Sequence, residues 1–340
     1  MTLLIVIIVL ALVFDLYNGM NDAANSIATI VTTKVLTPFK AVFFAAFFNF
    51  FAYIISKYAI GEFGVANTVS KTVLEELISL PIIFSGLCAA VIFLVFVTKK
   101  GIPVSCSHAL IGGLAGAAVM ACGWDAIRSS VIIKIAAFVF CAPLIGMFIS
   151  IGLSSLLMHI CKRSNPHKLK SVFGRLQLVS AALFSIGHGM NDAQKVMGII
   201  GAALLAAHTM GLEYGISTMM DLPNWVAIAC HSMIALGTML GGWKVIRTMG
   251  AGITKVTTYE GVVAETAGAF TLYFMEFLKV PVSTTHTLSG CIVGAGATKR
   301  LSAVRWGITK KLVIAWVLTI PCSALTAAVV YFIVHGIGIR

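Results

Sequence analysis

Blocks of roughly eighteen or more mostly apolar residues recur along the chain, the length a helix needs to cross the hydrocarbon layer of a bilayer. Short basic or Gly/Pro-bearing stretches separate them. Pro81–Val97, Ile132–Leu157 and Leu312–Val334 are plain cases, and Ala41–Ser56 joins them with its apolar flanks. None shows the short apolar–polar alternation of a transmembrane barrel strand. The pattern predicts an all-α polytopic membrane protein with ten passes, near residues 3–32, 40–57, 78–98, 106–123, 130–158, 172–207, 225–243, 259–278, 284–298 and 312–335. Segments 106–123 and 284–298 are short and Gly-rich, so each also fits as half of a re-entrant hairpin. Met1–Val13 lacks a basic start and a small-residue cleavage site, and reads as a retained first helix rather than a signal peptide.

The polar interruptions repeat. GMNDA occurs at Gly19–Ala23 and again at Gly189–Ala193; PVSCSHALIGGLAG starts at Pro103 and PVSTTHTLSGCIVG at Pro281. Asp22 precedes Ser105 by 83 residues and Asp192 precedes Ser283 by 91. Two matches in one order at similar spacing indicate a duplication. The expected organisation is a first repeat over 1–160, a basic cytoplasmic linker over 161–175 and a second repeat over 176–340. Five passes per copy would invert the second copy relative to the first, an arrangement typical of secondary transporters.

Charge refines the orientation. The chain is 59% hydrophobic and only 11% charged, against about 25% in soluble domains. Its 24 Lys and Arg exceed its 12 Asp and Glu, giving a net charge of +12. In a soluble protein that excess would suggest nucleic acid; here it falls mainly in short loops, so membrane topology explains it better. With His159–Arg175 placed in the cytoplasm, alternation also puts Lys34, Lys40, Lys99, Lys100, Lys244, Arg247, Lys255 and Lys299–Lys311 inside. Gly61–Glu76, the loop bearing Glu213 and Asp221, and both termini then lie outside. The eight Cys are scattered through apolar runs without a C-x-x-C and read as small apolar fillers, apart from Cys106.

An ionised Asp within a bilayer costs several kcal/mol unless paired or hydrated, so Asp22 and Asp192 call for a reason. Gly19 and Gly189 are expected to break their helices and free backbone carbonyls. With the carboxylates of Asp22 and Asp192 and the amide oxygens beside them, these would suit a small hard cation such as Na+, or an Asp could carry a proton. The Pro-Val-Ser stretches have the opposite character. Ser105, Cys106 and Ser107, like Ser283, Thr284 and Thr285, are expected to open helices, whose N-termini offer free amides and the positive end of the dipole. Two such ends facing each other could hold a tetrahedral oxyanion. Gly112 with Gly116 and Gly290 with Gly294 read as close helix packing. His108 and His286 are assigned to hydrogen bonding at the helix starts, with no spaced metal-ligand set in view. Lys195 could neutralise Asp192 or attract an anion. Asp15, Glu265 and Glu276 also lie in apolar runs; Glu265, with no local partner, is the strongest functional candidate of the three, and Asn49 is a weaker one.

These four motifs resemble those of the inorganic phosphate transporter (PiT) family, over nearly the whole chain from Ala11 to about Lys311. The family commonly has Ala at Met20 and Met190, and Thr near Cys106. The resemblance implies phosphate carried together with Na+, or with H+, by a homodimer in the cytoplasmic (inner) membrane, without an enzymatic activity or a cofactor. It assigns Asn21, Asp22, Asn25, Asn191, Asp192 and Gln194 to the cation and part of the phosphate contact, with Asp22 and Asp192 as Na+ ligands; Glu265 stands beside them as a cation-side candidate on its place in an apolar run alone. Ser105, Ser107, Ser283, Thr284 and Thr285, with Cys106 among them, would hold the anion. A sulfate or other oxyanion permease is the nearest alternative. An anion channel or an intramembrane metalloenzyme is more distant, since neither a nucleophile nor an H-E-x-x-H arrangement is present.

Overall fold

A computed structural model of the chain describes residues 1–60, 64–74, 76–212 and 214–338. Among these residues twelve α-helices run in order: α1 Thr2–Thr32, α2 Pro38–Ile55, α3 Gly64–Ser70, α4 Leu80–Lys100, α5 Cys106–Cys122, α6 Ser129–Cys161, α7 Pro166–Thr209, α8 Asn224–Leu240, α9 Trp243–Gly252, α10 Thr258–Phe277, α11 Thr284–Lys299 and α12 Trp306–Gly336. Among the described residues there are no strands, only one antiparallel bridge between Val73 and Ile127. Gly61–Phe63, Glu75 and Glu213, in stretches expected outside, lie outside the described residues, as do the last two residues of the chain.

Each of the ten expected segments is a helix, but fewer are full crossings. Among the described residues six are long and apolar enough to span: α1, α2 with its π-helical extension, α4, α6, α7 and α12. A seventh span is possible if α8 and α9, bent by 75° at their junction, count as one. Helix α5, with 17 residues, and α11, with 16, are too short to cross alone. They fold back on α4 and α10 as hairpins whose tips, Pro103–Ser105 and Val280–Ser283, are buried in the bundle. Both tips are built alike. At the first, Gly101 adopts φ 72° and the amide of Ile102 reaches back to Val97 O at 3.0 Å; at the second, Lys279 adopts φ 54° and Val280 reaches Met275 O at 3.0 Å. This left-handed C-terminal turn satisfies the last carbonyls of the helix.

Helix packing in the first half has counterparts in the second. α1 packs on α8 as α7 packs on α2; α1 on α4 as α7 on α10; α5 on α12 as α11 on α6. The apolar interior forms two main cores at opposite ends of α1 and α7. Residues 4–14 of α1 share one core with 193–207 of α7, while 24–30 of α1 share the other with 181–184 of α7. The two helices therefore run in opposite directions, and the polar GMNDA stretches lie between the cores. The apolar exposed side chains of α6 and α12, such as Phe140, Phe148, Leu325 and Phe332, face outward, where lipid would meet them.

Two expectations need correction. The stretch 161–175 is not a linker: only a turn separates α6 from α7, and Pro166–Arg175 is the first part of a 44-residue helix capped by Asn165, whose side chain accepts from His167 N. Nor are α1 and α7 broken at Gly19 and Gly189; both run unbroken through GMNDA. The glycines permit close approach instead. A Cβ on Gly19 would strike the backbone of Ile234 in α8, and one on Gly189 the backbone of Asn49 in α2. The sharp break comes at Gly241–Gly242, between α8 and α9, where Gly241 has φ 65°.

Candidate functional site

Helices α1 and α7 bring Asp22 and Asp192 to the same place between the hairpin tips, and both are buried. Asp22 accepts from Thr284 Oγ1 at 2.9 Å on one oxygen. Its other oxygen accepts from Thr285 Oγ1 at 3.1 Å, Asn21 Nδ2 at 2.9 Å and the Cys106 thiol at 3.6 Å. A carboxylate on α1 is thus met by hydroxyls from the far hairpin, α10–α11, and by the thiol of the near one. Thr284 Oγ1 also lies 3.4 Å from Asp192 Oδ2, so one hydroxyl stands between the two carboxylates.

Serines open both short helices as expected: Ser105 accepts from His108 N and Ser283 from His286 N, each at 3.2 Å. Those amides belong to the histidine backbones. The imidazoles do something else: they meet each other edge to face at 4.9 Å, and His286 stacks on Trp316 at 4.1 Å. The tip carbonyls also point into the site. Asn21 Nδ2 donates to Val104 O at 3.3 Å and Lys195 Nζ to Val282 O at 2.6 Å. These supply the backbone oxygens that an unwound α1 or α7 was expected to give. An unbroken helix keeps its own carbonyls bonded, so only the loop can lend them.

Position three after each Asp reaches across to the opposite hairpin. Asn25 Nδ2 donates to Thr285 Oγ1 at 3.0 Å and lies 3.4 Å from Thr284 Oγ1. Lys195 Nζ donates to Ser107 Oγ at 2.7 Å and to Asp192 Oδ1 at 2.6 Å. Asn21 and Asn191 form another matched pair, each turned to the last turn of a hairpin's first helix. Asn21 Oδ1 accepts from Thr98 at 3.4 Å, and Asn191 Nδ2 donates to Glu276 at 3.5 Å. Gln194 also binds Glu276, at 2.7 Å, and accepts from Val65 N. Asn191 and Gln194 therefore stand beside Glu276 and not against the hydroxyl triplets.

His188 completes the centre. Its Nδ1 lies 2.9 Å from Asn49 Oδ1, and Asn49 spends its amide hydrogens on Thr238 at 3.0 Å, so the ring donates at Nδ1. That aims Nε2 at the carboxylates, 3.4 Å from Asp192 Oδ2 and 3.7 Å from Asp22 Oδ2. Ligand atoms of Asp22, His188 and Asp192 lie within 4.8 Å of one another, close enough to share an ion. The sequence held one sign of this set, since His188 and Asp192 are spaced i, i+4 on a helix; the contribution of Asp22 is tertiary.

Glu265 lies apart from this centre, toward the other end of α1. It accepts from Thr29 of α1 and from Ser180 and Gln177 of α7, the last at 3.2 Å. Its partners are therefore on other helices, invisible in its own segment. Asp15, elsewhere on α1, is fully buried.

Buried carboxylates, tip carbonyls, helix N-termini, hydroxyls and an ammonium converge within a bundle of apolar helices. Such a site can hold an anion and a cation side by side, as a membrane carrier requires. The sequence pattern of the phosphate transporter family matches residues 18–171 and 161–327, and the chain belongs to that family. A relative in Rhizobium meliloti (strain 1021), described as a probable low-affinity inorganic phosphate transporter, is 45% identical over 97% of this chain and 96% of its own length. A protein of the same description in Bacillus subtilis (strain 168) is 40% identical over 98% of each chain. A solved structure titled the sodium-dependent phosphate transporter superposes with a TM-score of 0.88 over 99% of this chain and 100% of its own, at 24% identity; that likeness speaks for the fold.

Proposed function

We propose that the protein imports inorganic phosphate by secondary active transport, coupled to Na+ and alternatively to H+. The observation that carries this is the meeting of Asp22 and Asp192 with both hairpin tips. In this reading Ser105, Cys106, Ser107, Ser283, Thr284 and Thr285 form the anion cradle at the helix N-termini, with the amide of Asn21 at its edge; Asn191 and Gln194, bonded to Glu276, stand back from it. Asp22, with Asn21 and Asn25 and with Asp192 on its far side, takes the coupling cation; Glu265 of α10, bonded by Thr29 of α1, offers a second cation position. Cation binding offsets the carboxylate charge that would otherwise repel the anion. Thr284 and Thr285, which donate to Asp22, then turn their hydrogens to phosphate oxygens.

Phosphate near neutral pH keeps a hydrogen that it can donate, and sulfate does not. The acceptors Asp22 and Asp192 therefore favour phosphate, and the names of the relatives agree. Excess sulfate should leave the uptake of labelled phosphate into proteoliposomes nearly unchanged; equal competition by sulfate would transfer the proposal to a broader oxyanion carrier.

We also propose that the halves are inverted copies which rock against each other to expose the site to either side. The opposed directions of α1 and α7 and the paired contacts of Asn25 and Lys195 support this. The clustering of basic residues in alternate loops favours both termini outside, in the cytoplasmic membrane. Pairing of two copies is proposed on the family likeness alone, and size-exclusion chromatography with light scattering tests it.

A further inference from the structure

Lys195 sets the two halves apart. It stands three residues after Asp192, where Asn25 stands three residues after Asp22. Its side chain is buried. Its ammonium has three hydrogens, and three oxygens take them: the Asp192 carboxylate at 2.6 Å, the Ser107 hydroxyl at 2.7 Å and the Val282 carbonyl at 2.6 Å. A carboxylate, a hydroxyl and a tip carbonyl are the ligands a small hard cation would choose. In the first half the Asn25 amide makes the corresponding reach to Thr285 but brings no charge. Asp22 is left with neutral donors and with His188 Nε2 at 3.7 Å as its nearest ion-pairing group.

We propose that the Lys195 ammonium is a built-in cation, filling in the second half the oxygen cage whose counterpart beside Asp22 takes up a mobile one. The inference rests on the symport reading above and deepens it. Two equivalent half-sites would each need a cation to offset an Asp. Here Asp192 carries its own, tethered through four carbons to α7, and only Asp22 needs one from solution. A tethered charge stays with the protein through the cycle and contributes nothing to net charge movement, whereas a mobile ion crosses with the anion.

Lys195→Asn recreates the first-half arrangement in the second. In proteoliposomes, the reversal potential under known phosphate and cation gradients gives the charge moved per phosphate. The variant should move one further positive charge per phosphate than the native protein and show a steeper Na+ dependence of phosphate uptake, whichever ion couples the native protein. The swap Asn25→Lys with Lys195→Asn returns the tethered charge to the opposite half and should restore the native charge per phosphate. Unchanged charge and unchanged Na+ dependence in Lys195→Asn would overturn the inference. So would failure of that variant to fold, or to bind labelled phosphate at any Na+ concentration, since the ammonium would then only hold the tips together. If the native protein takes up no phosphate under either a Na+ or a pH gradient, the symport reading itself fails, and this inference falls with it.

Discussion

At the residue scale, the central groups are carboxylates that make opposite kinds of contact. Asp22 is surrounded by hydroxyl, amide and thiol donors, while Asp192 is paired with an ammonium. Removing one member of a buried ion pair typically costs about 3–5 kcal/mol, because the other charge is left uncompensated. Asp192→Asn should therefore abolish phosphate uptake and also lower the thermal midpoint of the purified protein. Asp22→Asn should abolish coupled uptake with a smaller loss of stability, because no ammonium is orphaned; membrane-fraction immunoblots would show that it still inserts. Equal destabilisation by the two would contradict this division of labour. Glu265, held by Thr29, Gln177 and Ser180, separates from both. Glu265→Gln keeps most of those bonds and loses the charge. Roughly a tenfold rise in the Na+ needed for half-maximal uptake, the equivalent of about 1.4 kcal/mol, is expected if it serves a cation. An unchanged Na+ requirement would assign it to packing alone.

At the scale of elements, the short helices α5 and α11 are held in place by glycine stripes. A Cβ on Gly112 or Gly116 would strike the backbone of Ile320 or Ala324 in α12, and one on Gly290 or Gly294 that of Pro143 or Met147 in α6. Gly116→Ala and Gly290→Ala should each cost about 1–3 kcal/mol through overpacking. Gly152→Ala, in α6 with open space around its missing Cβ, should be neutral or stabilising by roughly 0.5–1 kcal/mol. Thermal unfolding in detergent would rank the three.

The ten helices were legible because hydrophobic run length alone marks them, and the hairpin tips because Pro-Val-Ser carries its own capping chemistry. The number of crossings was not legible, since apolar composition cannot tell a helix facing lipid from one buried among other helices. The expected breaks at Gly19 and Gly189 failed for a related reason: glycine permits either a kink or a close neighbour, and here Ile234 and Asn49 are that neighbour. The candidate site residues Asp22, Asp192 and the hydroxyl triplets stood out as polar groups in apolar runs. The partners of Glu265, the bond from Asn49 to His188 and the grip of Lys195 on Ser107 and Val282 did not, because each joins segments far apart in sequence.

At the scale of the whole molecule, the apolar interior is divided into two cores with the polar site between them. A bundle divided in this way can hinge about its middle, while one continuous core would resist. Each hairpin is anchored on the opposite half, α5 on α12 and α11 on α6, so movement of one half carries the other's tip. In the transport cycle proposed above, alternating exposure of the site would come from rearrangement of whole units, with α1 and α7 as the crossing axes. The measurement that tests this account most directly is labelled phosphate uptake by purified protein in liposomes under an imposed inward Na+ gradient and, separately, an imposed pH gradient, with Asp22→Asn run alongside. The account predicts saturable uptake above the equilibrium level under at least one gradient, and none by Asp22→Asn. Uptake that never exceeds equilibrium, or that Asp22→Asn performs as well as the native protein, would contradict it.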